Sequence, residues 1–216
     1  MSTTKPFDRC DHAPKHTGPN VFPNFFLFSR LVRWAHKPLL AVRDLTFGFT
    51  ASYAQLLTDV LHLRNQLRQL LDPAIVARID REEEVFILLL GPGGYEFTVG
   101  FLALMALGAV IVPISPDLPV KEASYFANKA QAVAVLTAHR CLKLGTGLEE
   151  AISRPGGPAF RSIAIRLHLM QPCLTPAKFI ISSDAYVDLN KTAYVIFTSG
   201  EWSYTLRHCV METNVV

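Results

Sequence analysis

Two hydroxyl side chains and a glycine follow an apolar run near the carboxyl end of the chain, in the sequence AYVIFTSG at 193–200. Hydroxyls and backbone N–H groups in such a turn can hold phosphate oxygens, and open α/β sheets bind ligands at the carboxyl ends of their strands. Thr198, Ser199 and Gly200 are therefore the candidate phosphate-binding residues, and the alternative is an ordinary turn, since Thr-Ser-Gly is common in turns that follow a strand. No catalytic residue is assigned, because His208 and Cys209 beyond them are adjacent and their side chains need not converge.

A second glycine-rich turn, GPGG at 91–94, also joins an apolar run to a helical pattern. It lacks the spacing of the dinucleotide-binding and P-loop motifs, and Glu96 would repel an anion there, so a tight strand-to-helix turn is the favoured interpretation. Asp117 has no paired carboxylate and is predicted to be a turn residue rather than a catalytic acid. His62, without a partner at ligand spacing, is predicted to be packed or solvated.

The cysteines and the charge indicate neither a metal site nor a nucleic-acid partner. The cysteines are far apart, with no CxxC pair and no histidine at ligand spacing, so we expect reduced thiols and no metal. They are Cys10, Cys141, Cys173 and Cys209. The net charge of +3 comes from 21 basic and 18 acidic residues without a basic run, which predicts no nucleic-acid binding.

The location is predicted from the thiols and from the amino terminus. Reduced thiols favour an intracellular protein, and the first twenty residues are polar, without a secretory signal core. We expect the cytoplasm first, with the mitochondrion and the peroxisome left open. Residues 1–21 are predicted to form a polar, disordered arm.

The elements that must position the turn alternate between strands and helices. Continuous apolar runs at 85–90, 109–113 and 132–137 are separated by helical patterns, which predicts parallel strands covered on both faces. Further strands are expected at 162–169 and 193–198, with helices at 120–131 and 144–153. The fold class is therefore α/β, with a mostly parallel sheet and helices on both faces.

The first third of the chain has its own elements. A short amphipathic helix is predicted at 28–36 and a hairpin turning about Asp44. The clearest helix spans 52–71, where Ser52 and Gln55 form a capping box and Asp72-Pro73 stops the helix.

A membrane-associated protein is the least favoured alternative. Residues 97–114 contain no charge and reach the lower limit for a membrane span. Gly108 and Pro113 divide the segment, and its second half is β-branched, so we expect a helix followed by a strand and no membrane partner.

The order of these pieces from residue 22 to 200 resembles the amino-terminal part of the adenylate-forming (AMP-binding) acyl-CoA synthetase family. The helix start SYAQL at 52–56, the strand-helix-strand unit from residue 85 and the proline-rich exit VPISPDLP all have counterparts there. The family loop reads approximately Y-x-x-[FY]-T-S-G-[TS]-T-G-x-P-K-G. Its first half is matched by Tyr194, Phe197, Thr198, Ser199 and Gly200.

The resemblance implies activation of a carboxylic acid with ATP and Mg²⁺, followed by transfer of the acyl group to CoA. It also implies that the fold is an incomplete amino-terminal subdomain, with a partial domain at 22–200 and an unrelated tail at 201–216. Glu201 follows Gly200 in place of a small hydroxyl residue, and the loop lysine is missing. We therefore expect a fragment that does not catalyse the reaction and that binds the cofactors weakly or not at all. The alternative is a non-enzymatic α/β binding module; acyl-chain preference is not readable from these residues.

Overall fold

The structure is a computed structural model that describes residues 17–45, 48–152, 159–167, 173–183 and 191–197. The helices and strands occur in the following order: β1 (Val21–Phe22), α1 (Phe26–Ala35), β2 (Leu40–Asp44), β3 (Phe49–Ser52), α2 (Tyr53–Leu70), α3 (Pro73–Asp80), β4 (Phe86–Leu90), α4 (Tyr95–Leu107), β5 (Val110–Ile114), α5 (Val120–Ala130), β6 (Ala134–Thr137), α6 (Leu142–Ile152), β7 (Arg161–Ala164) and β8 (Ile180–Ile181).

Four parallel strands form the central sheet, in the order β5-β4-β6-β7. Ile87 of β4 lies beside Ile111 of β5 and Ala134 of β6, and Ala134 lies beside Arg161 of β7. The predicted β-α-β-α-β run is confirmed, as is the α/β fold class. The predicted strand at 162–169 appears as β7 at 161–164, and residues 168–169 of that prediction lie outside the described residues.

Alternate residues of each strand face opposite layers of helices, which explains why the strands are apolar throughout. Ile87 and Leu89 belong to a core shared with α1, α2 and α4. Leu88 and Leu90 belong to a second core that is shared with α5 and α6. A sheet covered on both faces needs apolar side chains at every position, and these runs supply them.

One glycine on each side lets a helix approach the sheet closely. A Cβ at Gly100 in α4 would lie 2.9 Å from the Leu89 side chain, and one at Gly145 in α6 would lie 2.4 Å from both Thr137 and Ser162. Both distances are shorter than carbon atoms tolerate. The end of the Leu89 side chain could move to admit a Cβ at Gly100, whereas at Gly145 the short Thr137 and Ser162 side chains leave no room, so this glycine lets α6 lie close to the sheet.

The uncharged segment 97–114 is divided between a helix and a strand. α4 ends at Leu107, and Gly108 follows it in the left-handed region with φ 90° and ψ 14°, where glycine is favoured. Its backbone N–H donates to the carbonyls of Leu104 and Met105, and β5 begins at Val110. The described part of the chain has no helix with both the length and the apolarity of a membrane span.

The long helix α2 begins and ends where the sequence predicts. The Ser52 hydroxyl accepts a hydrogen bond from the Gln55 N–H at 3.2 Å, as expected of a helix cap. The stop signal at Asp72-Pro73 has a second effect, because Asp72 caps a further helix, α3, that the sequence analysis did not predict. Arg68 of α2 and Asp80 of α3 hold the two helices together through two hydrogen bonds of 2.7 and 2.8 Å.

A buried arginine anchors the chain before α1. The guanidinium of Arg64 donates to the carbonyls of Gly18, Pro19 and Val21, and only 1% of the residue is exposed. Burial, and then the charge of Arg68, lowers the pKa of Arg64 to about 10, so it remains charged at neutral pH. Of the disordered arm predicted at 1–21, residues 1–16 lie outside the described residues. Residues 18–21 differ from the prediction, because these hydrogen bonds hold them against α2 and position β1 to pair with β8.

Segment 193–197 joins the sheet beside β5, but it forms a single bridge rather than the predicted strand. The bridge is parallel and links Tyr194 to Ile111. Ile111 N–H donates to the Ala193 carbonyl at 3.1 Å and Val195 N–H to the Ile111 carbonyl at 2.8 Å. The next bond on this side would need an N–H at residue 113, which is a proline and has none. Pro113 therefore limits the pairing that was predicted for 193–198, of which residue 198 lies outside the described residues.

Candidate functional site

The carboxyl edge of the sheet is where the predicted phosphate-binding residues would lie. β4, β5, β6 and β7 all end there, and the parallel bridge at Tyr194 directs segment 193–197 toward the same edge. Thr198, Ser199 and Gly200 follow directly, but they lie outside the described residues. Their role therefore stays a prediction, and what the structure describes is the approach to the loop and its surroundings.

The approach to the loop is held from both faces of the sheet by its alternating side chains. The Tyr194 ring lies 6.0 Å from that of Phe101 on α4, and the Phe197 ring lies 4.7 Å from that of Phe126 on α5. Val195 between them is 5% exposed and belongs to the core on the α5 side. The two aromatic positions of the loop pattern thus hold segment 193–197 against α4 on one face of the sheet and α5 on the other.

The GPGG turn beside this approach is occupied by a carboxylate of the protein. Tyr95 N–H, at the start of α4, donates to Asp44 Oδ2 at 3.0 Å. Gly94 has φ 143°, and a Cβ on it would lie 3.1 Å from the same oxygen. The predicted tight turn is confirmed. Because a negative group already lies at this helix N-terminus, the turn is a poor place for a phosphate.

Two more carboxylates lie near the carboxyl edge. Glu96 Oε2 accepts from the His139 N–H at 3.1 Å and caps the short 3₁₀ helix His139–Cys141. Asp117 lies in the turn before α5, as predicted, where its N–H donates to the Ser115 hydroxyl at 3.3 Å. Burial first, then the charges of Glu96 and Asp117, raises the pKa of the Cys141 thiol. This thiol is therefore protonated at neutral pH and is a weak nucleophile.

A buried polar pair lies under the GPGG turn and was not predicted. The Tyr95 hydroxyl donates to Asp59 Oδ2 at 2.7 Å, and the Gln55 side-chain amide donates to the same oxygen at 3.2 Å. Asp59 is 2% exposed, and its Oδ1 has no hydrogen-bond partner within the described ranges. Burial first, and then Asp59, raises the pKa of Tyr95 above its ordinary value. No sequence signal links residues 59 and 95, which meet only through the packing of α2 on α4.

The described ranges contain no group of three or more His, Cys, Asp or Glu side chains close enough to hold a metal ion. His62 lies half-buried on α2, in agreement with its predicted packed or solvated position.

Comparisons with known proteins agree with this architecture. A family model described as "AMP-binding enzyme" matches residues 31–200. The chain is 28% identical over 191 residues to an acyl-CoA ligase, oryP, of Aspergillus oryzae, and the match covers 83% of this chain and 31% of the ligase. It is 28% identical over 98 residues to a CoA ligase of Gibberella moniliformis, covering 45% of this chain and 16% of that protein.

Solved structures show the same fold. A fatty acyl CoA synthetase of Mycobacterium tuberculosis superposes with a TM-score of 0.55 at 18% identity, over 79% of this chain and 32% of the synthetase. MatB of Rhodopseudomonas palustris superposes with a TM-score of 0.52 at 20% identity, over 80% of this chain and 32% of that protein. The chain spans about a third or less of the length of the curated relatives it matches. The family match over residues 31–200 shows that the chain belongs to the AMP-binding enzyme family.

Proposed function

We propose that this chain is a partial AMP-binding domain of an acyl-CoA ligase and that, as it stands, it does not activate carboxylic acids. The observation that carries the proposal is the family match, which ends at residue 200, where the loop pattern gives way to Glu201. The curated relatives are named as acyl-CoA and CoA ligases, and this supports the class of reaction.

The reaction of an intact ligase of this kind has two steps. A carboxylate attacks the α-phosphorus of ATP, which forms an acyl-adenylate and releases pyrophosphate; the CoA thiol then displaces AMP to give a thioester. Mg²⁺ supplies charge neutralisation at the phosphates. The contribution we assign to this chain is limited to the hydroxyls of Thr198 and Ser199 and the backbone of Gly200, which would donate hydrogen bonds to phosphate oxygens. The partners, an acid, ATP and CoA, favour an intracellular location.

Electrostatics is the reason for the proposed inactivity. Adenylyl transfer needs positive charge and hydrogen-bond donors around the phosphates. Here Asp44 occupies the N-terminus of α4, and Glu96 and Asp117 lie near the carboxyl edge of the sheet. Glu201 adds a further carboxylate after Gly200, and the lysine of the family loop is missing. These charges repel a polyphosphate by an amount that depends on their burial.

Sequencing of the gene downstream of the codon for Gly200 tests the first part of the proposal. If the gene encodes Thr-Thr-Gly-x-Pro-Lys-Gly downstream in another frame or exon, the segment from Glu201 onward is an alternative continuation of a ligase gene. A genomic sequence without that motif downstream would favour a remodelled loop.

A non-enzymatic binding module is the second candidate, favoured by the covering of both sheet faces within this chain. A ligand at 100 times its Kd stabilises a protein by about 2.7 kcal/mol. A clear rise in Tm with ATP, lost in the Thr198→Ala/Ser199→Ala variant, would support a working nucleotide site. We expect at most a small rise, which these substitutions barely change.

A further inference from the structure

The outer side of helix α1 carries cationic side chains and an exposed aromatic ring. The buried side chains of this helix belong to the core that it shares with α2 and α4, and they are Phe28, Leu31 and Ala35. Phe26, Arg30 and Arg33 are exposed, and their spacing of four and three residues places them on one line along the helix. With 3.6 residues per turn, that line lies opposite the buried side chains.

The positive charges on this side of α1 have no carboxylate partners. Residues 17–43 contain no Asp or Glu, and their Lys and Arg residues are Arg30, Arg33, Lys37 and Arg43. Within the described part of the chain, none of these four side chains forms an ion pair. The Arg30 guanidinium instead lies over the Phe26 ring, 4.9 Å from its centre. Exposed cations that are concentrated in one stretch and unpaired attract a negatively charged partner.

Exposed apolar side chains lie at both ends of the cationic line. Phe26, in the first turn of α1, is 63% exposed. Lys37 follows the last turn of the helix, and the exposed Leu39 and Leu40 come directly after it. At a rise of about 1.5 Å per residue, the cations occupy the length of a short helix between these apolar groups. We refer to the following residues together as the α1 face: Phe26, Arg30, Arg33, Lys37, Leu39 and Leu40.

We propose that the α1 face docks on an anionic lipid surface, with its cations among the headgroups and its apolar side chains in the interfacial layer. The charge of the face complements anionic headgroups, which attract Lys and Arg near the membrane surface. The apolar side chains favour a lipid partner over a nucleic acid, because a phosphodiester backbone offers no apolar phase into which phenyl and leucyl groups can leave water.

This mode of contact differs from a membrane span. A surface that combines cations with Phe and Leu lies in the plane of the interface and needs no spanning helix, in agreement with the division of the uncharged segment 97–114 between α4 and β5. The docking is independent of the proposed function, because the α1 face belongs to the first described helix and the inference holds whether or not the chain binds ATP.

Flotation of the full chain with lipid vesicles tests the docking, since vesicle-bound protein rises in a density gradient and aggregated protein does not. We expect binding to vesicles of phosphatidylcholine with about 30% phosphatidylserine, and much weaker binding to phosphatidylcholine alone. Binding should decline as the salt concentration is raised to about 0.5 M. Arg33→Gln/Lys37→Gln should weaken it about 25-fold, because each cation near an anionic surface contributes about fivefold.

The matched control removes the same charge from the other face of the sheet. Lys121 and Lys129 are exposed on α5, which packs on the face opposite to α1, and Lys121→Gln/Lys129→Gln should bind the vesicles as the unchanged chain does. A further variant, Phe26→Ser/Leu39→Ser, keeps the charge and should weaken binding about tenfold, because it removes the apolar groups that leave water. Hydrogen exchange of the Leu89 amide in β4 reports whether each variant is folded.

Three results would overturn the proposal. The folded chain might fail to float with the anionic vesicles at low salt. The two charge-removing variants might lose binding equally, in which case net charge alone would explain the attraction. Finally, Phe26→Ser/Leu39→Ser might bind as the unchanged chain does, and the α1 face would then recognise charge without lipid, as expected for a nucleic acid or an acidic protein segment.

Discussion

Asp44 caps α4, although the first residue of that helix, Tyr95, lies 51 residues further along the chain. Losing a cap of this kind costs about 1 kcal/mol. We expect Asp44→Ala to lower the free energy of unfolding by about 1–2 kcal/mol, since the buried Tyr95 N–H also loses its acceptor. Urea denaturation measures this, with the exposed Glu150→Gln on α6 as a control that changes stability by less than about 0.5 kcal/mol. Equal effects of the two substitutions would contradict the cap.

A second prediction at the scale of single residues concerns the Tyr95 hydroxyl. Tyr95→Phe removes a donor from the buried Asp59, whose Oδ1 already has no partner among the residues that the structure describes. We expect the free energy of unfolding, measured by urea denaturation, to fall by about 1–3 kcal/mol.

The pH dependence of the same pair has a definite sign. The pKa of Tyr95 is raised by burial and then by Asp59, so the folded state holds this proton more tightly than the unfolded state does. Stability from this group is complete below the ordinary tyrosine pKa of about 10 and is lost as the pH rises above it. Unfolding free energies between pH 8 and 11 should therefore fall less in Tyr95→Phe than in the wild type; parallel curves would contradict the buried hydrogen bond.

Caps show which residue-scale contacts can be predicted from a sequence. Ser52 and its acceptor role were predicted because the partner, Gln55, is three residues away. Asp44 and Glu96 act on N–H groups 51 and 43 residues away, and such pairs exist only once strands and helices are assembled. The predicted phosphate-binding residues Thr198, Ser199 and Gly200 lie outside the described residues and stay predictions.

The helices and strands were largely predictable, because the strands are continuous apolar runs while the helices between them mix apolar and polar residues at helical spacing. Three features were not. The short pair β1–β8 has two residues in each strand, too few to show a period. The helix α3 begins at the proline that ends α2, where the sequence analysis recognised only a stop. The strand expected at 193–198 forms only one bridge, because the missing N–H of Pro113 limits the ladder.

Adding one methyl group at Gly145 tests the close contact of α6 with the sheet. Gly145→Ala would place a Cβ 2.4 Å from Thr137 and Ser162, and the helix would have to move away from β6 and β7. Overpacking of this kind costs about 1–3 kcal/mol, more than the roughly 1 kcal/mol that alanine gains over glycine in a helix. Thr146→Ala, on the exposed side of the same helix, should leave stability unchanged or slightly raised. A more stable Gly145→Ala variant in urea would contradict this close packing.

At the scale of the whole molecule, the exposed apolar side chains on and beside the β2–β3 hairpin affect association. Leu40 and Leu45 are 54% and 82% exposed, and neighbouring Leu39 is 43% exposed. Exposed apolar groups promote association, so we expect sedimentation velocity to show concentration-dependent self-association. Leu40→Asn/Leu45→Asn should reduce it, and Lys143→Gln on α6 should not. A monodisperse monomer at all concentrations would contradict the expectation.

This chain has the fold of an AMP-binding domain, and we propose that it does not adenylate carboxylic acids. Acid-dependent exchange of labelled pyrophosphate into ATP tests it most directly, because the exchange requires the first half-reaction alone. The assay should include short, medium and long carboxylic acids and malonate, with the boiled chain as blank and an intact acyl-CoA ligase as positive control. We predict no exchange above the blank with any acid. Exchange that depends on an added acid and is lost in Thr198→Ala would contradict the account, since the residues after Gly200 would then form a working phosphate loop.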